Sequence, residues 1–188
     1  MQKRSHKLLA SSLLTAQQGF DSRRYELAFL FGSFQPDYNP FTYFRGIRST
    51  HKPQGHNYVS TQRYINRRIQ RLQRRSHWNI WHYYTLGKLT HYLADAFTFP
   101  HNENYTDSLL DHRRYEDELR DCLAERLAQS RLLRKQLRQD LTDALDQLHS
   151  QYMESRSSLE RDIRYILEAT ALLMAGCCPR SGISGRIS

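Results

Sequence analysis

The segment HWNIWHYYTLGKLTHYLADA, residues 77–96, constrains the fold more than any other part of the chain. Read at the helical period it is apolar on nearly every side, and a helix of that kind has to be enclosed by its neighbours. The expected fold is therefore all-α, a compact multi-helix bundle around a central helix over about 77–97 that Pro100 closes. The end of that helix, HYLADAFTFPHN, nevertheless sets His91, Asp95 and His101 among aromatic and aliphatic side chains. An unpaired carboxylate there would cost several kcal/mol, whereas a divalent cation would satisfy it together with its imidazole neighbours. Residues four apart share a helix face, so His91 and Asp95 can reach one ion, and His112 and Glu116 in DHRRYE repeat the spacing. Imidazole and carboxylate ligands without thiolate suit zinc, with other divalent transition metals as the alternative.

Around the central helix, periodicity predicts others over about 5–18, 22–32 and 61–75, one from about 107 past Leu133, a segment at about 141–153 that either continues it or breaks from it, and a last one over about 158–175. The helix at about 61–75 buries Ile65, Ile69 and Leu72, and its Arg63, Arg67, Arg68, Arg71, Arg74 and Arg75 form a basic face. Leu119, Leu123 and Leu127 make the stripe of the helix from about 107, and Ile163, Ile166, Leu167 and Leu173 anchor the last helix, which a Ser157 to Glu160 capping box opens. Between Gly32 and Ser60 the chain holds Pro36, Pro40, Pro53 and several glycines, which predicts a long loop, and loops of that length usually serve a site. Trp78, Trp81, Tyr83 and Tyr84 are expected in the core, and His77, His82 and His149 as structural or surface residues.

One domain over residues 1–176 with a flexible tail over 177–188 accommodates this plan. The 28 Lys and Arg against 19 Asp and Glu give a formal charge of +9, which favours anionic partners: phosphodiesters, nucleic acid or, by peripheral contact, an anionic membrane. Cys122, Cys177 and Cys178 offer neither a disulfide framework nor a thiolate metal site, which suits a reducing, cytoplasmic setting. The alternative is secretion, since the basic residues and Leu8–Leu14 near the start form a weak signal-like pattern. No stretch approaches the roughly 20 apolar residues of a membrane-spanning helix.

LGKLTHYLADAFTFPHN resembles the most diagnostic stretch of the zinc-dependent phospholipase C family, in which a His, an Asp four on and a His six further on bind zinc. By that resemblance His101, His112 and Glu116 hold one zinc, and His91 and Asp95 belong to a neighbouring cluster that Asp95 bridges. FLFGSFQPDYNP resembles the segment that brings an Asp to the catalytic metals as general base, here Asp37, followed by an aromatic residue of the headgroup pocket, here Tyr38. GHNY is similar to the segment supplying a further ligand, His56, with His51 as its rival, and KRSH resembles the short, intracellular-type members in which an early His, here His6, completes the cluster. The chain departs from the secreted members, whose N-terminal Trp ligates a third zinc; it opens Met-Gln-Lys-Arg.

The resemblance implies two or three zinc ions per chain and a phosphodiester hydrolase that cleaves a phospholipid headgroup with metal-activated water. A single-strand nuclease or nucleotidase of similar fold, or a non-catalytic zinc-binding protein, are the alternatives.

Overall fold

The computed structural model describes residues 1–38, 58–98, 109–129 and 139–178. They form seven α-helices and one 3₁₀ turn, with no strand among them: α1 (Lys3–Ala16), α2 (Arg23–Phe34), the turn (Gln35–Tyr38), α3 (Tyr58–Gln73), α4 (Ile80–Ala96), α5 (Leu109–Gln129), α6 (Leu141–Glu154) and α7 (Leu159–Cys177). The all-α expectation holds. Helix α4 is the axle, with α1, α2, α3 and α7 all packed on it, while α5 lies against α1 and α7. From Leu86 to Ala96 every α4 side chain except Lys88 is buried.

Local chemistry sets the boundaries. Asn79 opens α4, three residues later than the periodicity predicts: its Oδ1 accepts from the amides of Trp81 and His82, and its own N–H donates to His82 Nδ1 at 2.9 Å. Asp140 caps α6 by accepting from Thr142 N–H at 2.8 Å, so 141–154 is a helix of its own. The cap of α7 is Ser158, accepting from Arg161 N–H at 3.1 Å, one residue beyond the expected Ser157. The signal-like stretch forms α1 and sinks His6, Leu9, Ala10, Leu13 and Leu14 into the core.

Two expectations need correction. The loop foreseen from Gly32 begins later, because α2 continues to Phe34 and the 3₁₀ turn carries the chain to Tyr38; at its far end Tyr58–Ser60 already belong to α3. Gly32 is a contact glycine rather than a helix stop. Helices α2 and α4 run in the same direction, Tyr25 stacked on Tyr83 at 4.5 Å and the Ser33 carbonyl facing His91. Between those points a Cβ on Gly32 would lie 2.2 Å from the Tyr84 carbonyl oxygen, and one on Gly87 2.1 Å from that of Phe29. The second correction is Trp81, which is 70% exposed, beside Ile80 at 43%. The first turn of α4 projects past the helices that enclose the rest of it.

Gly87→Ala is expected to destabilise the protein by roughly 3 kcal/mol, because the methyl meets backbone that cannot rotate away. The gain of up to about 1 kcal/mol in helix propensity does not offset this. Denaturant unfolding at unchanged slope measures it; a variant as stable as wild type means that α2 and α4 are not this close.

Candidate metal centre

The centre forms where α1, α4, α5 and the turn after α2 converge. From α4, His91 and Asp95 are 1% and 3% exposed, and His91 Nε2 lies 3.2 Å from Asp95 Oδ2 across one helical turn. From α1, His6 brings Nε2 to 3.2 Å from Asp95 Oδ1, and its ring stacks on that of His91 with centroids 3.8 Å apart. The 3₁₀ turn delivers Asp37, whose Oδ1 is 3.5 Å from His91 Nε2 and whose side chain, 24% exposed, forms the open edge of the cluster. Helix α5 contributes Glu116.

Backbone completes the arrangement. The Ser33 carbonyl lies 3.0 Å from His91 Nδ1. A carbonyl oxygen can only accept, so Nδ1 carries a proton, and Nε2 is the ring nitrogen that faces Asp95 and Asp37. The buried Met1 ammonium donates to Asp95 Oδ1 at 3.0 Å and lies 3.3 Å from Glu116 Oε1, joining the two acidic residues. Gln2 fixes this approach by donating to Asp117 Oδ1 at 2.8 Å.

Electrostatics follow from this crowding. Burial, helped by the neighbouring His91, pushes the His6 pKa down to about 3, so its ring is neutral. Burial also pulls His91 down, but the charge and hydrogen bond of Asp95 outweigh it and the net shift is upward. The Asp37 carboxyl is raised, first by burial, against the pull of His91.

The residues fit a cation. Neither His6 nitrogen has a hydrogen-bond partner although both are buried, and the 3.2 Å approach to Asp95 lacks hydrogen-bonding geometry. One ligand atom each from His6, His91 and Asp95 can be chosen so that all lie within 4.8 Å of one another. Tetrahedral zinc with bonds of about 2.1 Å sets its ligands about 3.4 Å apart, close to the separations of each imidazole from the carboxylate. Asp162 shows the contrast. Equally buried, it is satisfied by Tyr152 at 3.0 Å, Arg161 at 2.8 Å and Tyr115.

Of the residues singled out in the sequence, the structure thus brings together His6, Asp37, His91, Asp95 and Glu116. His112 sits one turn before Glu116 on α5, but its side chain and that of Tyr38 lie outside the described set, as do His51, His56 and His101 entirely. Two participants escaped the sequence reading. The Ser33 carbonyl leaves no trace in a side-chain pattern, and the Met1 amine had a signal only in the departure noted at the chain start. His149 is buried, with its ring edge-on to Phe97 at 5.5 Å.

No curated protein and no solved structure is matched by this chain. The sequence profile described as zinc dependent phospholipase C matches residues 5–159, a span that contains every residue of the centre except the Met1 amine. With that span well over half of the 188 residues and a buried two-imidazole, one-carboxylate cluster inside it, the chain belongs to the zinc-dependent phospholipase C family.

Proposed function

We propose that the protein hydrolyses a phosphodiester, with a phospholipid as its substrate, releasing the phosphorylated headgroup and leaving diacylglycerol. The observation that carries this reading is the buried His6, His91 and Asp95 set with Asp37 at its one open edge. His6, His91, Asp95 and Glu116 would hold zinc, with His56, His101 and His112 as further ligands from segments outside the described side chains. Bound there, zinc supplies Lewis acidity toward a phosphoryl oxygen and acidifies a bound water.

The chain's own residues then have distinct tasks. Asp95, flanked by two imidazoles and bonded by the Met1 ammonium, is a fixed anchor between the His6 and Glu116 sides. His91 is locked in one tautomer by Ser33. Asp37, the more accessible carboxylate at the edge, orients the attacking water and takes its proton at a carboxylate oxygen. By the family resemblance, Tyr38, next in the chain, is assigned to the headgroup pocket.

The test is zinc analysis of the purified protein combined with hydrolysis of phosphatidylcholine and of single-stranded DNA. At least two zinc ions per chain and release of phosphocholine are expected. Turnover of DNA alone assigns the site to a nuclease, which the +9 charge would serve. Zinc-loaded protein inert toward both substrates and toward simple phosphodiesters leaves only a metal-binding role.

A further inference from the structure

We propose that an aromatic ladder on α2 and α4 is a docking surface for an anionic phospholipid bilayer, positioned beside the metal centre. Leu27 and Phe31, one turn apart on α2, are 53% and 52% exposed, and Ile80 and Trp81 open α4 at 43% and 70%. Scattered apolar side chains on a surface are ordinary, but Phe31 and Trp81 are linked through Tyr84. Phe34 meets Phe31 at 5.6 Å between centroids, Phe31 meets Tyr84 at 6.0 Å, and Tyr84 meets Trp81 at 6.1 Å. Four rings in a row therefore run from the exposed start of α4 to the end of α2. Next to Phe34 begins the 3₁₀ turn that holds Asp37.

Charge decides which partner this face fits. Lys7 and Lys3 reach over Phe34 at 4.5 and 5.7 Å, and Lys88 over Tyr84 at 5.8 Å. The three helices that build the face, α1, α2 and α4, contain six Lys and Arg and only two acids. Of those acids, Glu26 is paired with Arg23 at 2.8 Å and Asp95 is buried in the metal centre. Basic ammonium groups around Trp, Tyr and Phe match the layered chemistry of a bilayer surface, anionic phosphates outside and acyl chains just beneath. Long lysine stems cover the rings while their heads stay with the phosphates.

The docking rests on the proposed function only for its purpose, which is to present a lipid headgroup to Asp37, and the two are separable by experiment. The probe is a vesicle of equimolar choline- and glycerol-headgroup phosphonolipids, whose glycerol C–P bond resists the proposed cleavage. In Trp78→Phe protein, Trp81 is the sole indole, and its emission is expected to shift to the blue as these vesicles are added. Trp81→Ala combined with Phe31→Ala is expected to lower vesicle affinity at least about tenfold, with melting temperature and hydrolysis of monomeric short-chain substrate unchanged. Lys3→Gln, Lys7→Gln and Lys88→Gln together are expected to reduce binding more steeply at low salt than at high salt.

Unshifted Trp81 emission, or equal vesicle affinity of the aromatic double variant and wild type, overturns the proposal. So does a wild-type dimer in velocity sedimentation that the double variant abolishes, because the face then belongs to a second copy. Docking without hydrolysis of any phospholipid leaves the surface standing and removes the proposed activity. Hydrolysis of monomeric substrate without docking does the reverse.

Discussion

Asp95→Asn is expected to strip zinc from the centre and abolish hydrolysis with it. The substitution preserves shape and one carbonyl oxygen but removes the charge that faces His6, His91 and the Met1 ammonium within 3.0–3.2 Å. Loss of a partner outside the ligand shell already costs about 10–100-fold in metal affinity, so loss of the carboxylate at the centre should exceed that. Stability should register it as well. Zinc binding that requires the folded site adds to folding free energy, so a chelator should lower the melting temperature of wild type and leave the variant nearly unmoved. Metal content after dialysis and paired melting curves are the measurements. Full zinc occupancy in Asp95→Asn would show that Asp95 is not the shared anchor.

That a carboxylate at position 95 needs a partner was legible from the sequence, because a helix apolar on all sides leaves no water for it. Its companions were legible to different degrees. His91 follows from helical spacing alone, whereas His6 comes from a different helix 85 positions earlier in the chain and was reached through the family resemblance. Periodicity located α3 and α7 well, since Ile65, Ile69, Ile163 and Ile166 mark single buried faces. It failed where one residue type serves two physical ends. Gly32 reads as a helix stop but is a site of backbone approach, and Trp81 reads as core but is the most exposed large apolar residue described. Asp162 is the sharper lesson. It is as buried as Asp95 and satisfied by hydroxyls and a guanidinium instead, a difference that only the packing of α5, α6 and α7 reveals.

Asp37→Asn should separate catalysis from assembly. Asp37 sits on the 3₁₀ turn beyond α2, at the edge of the centre, 3.5 Å from His91 Nε2 and with its side chain 24% exposed. The buried His6, His91 and Asp95 set does not depend on it for closure, so the variant is expected to keep its zinc and its melting temperature. Turnover should fall by about 10²–10⁴, the range for removal of a general base, with kcat affected far more than KM. The pH profile carries a second signature. A base must be ionised to act, so activity should fall as pH drops through its pKa. In Asp37→Asn the residual activity should lack that limb. Zinc loss in the variant would make Asp37 chiefly a ligand, as its nearness to His91 also permits. Full activity with an unchanged profile would assign the proton transfer to a group other than Asp37.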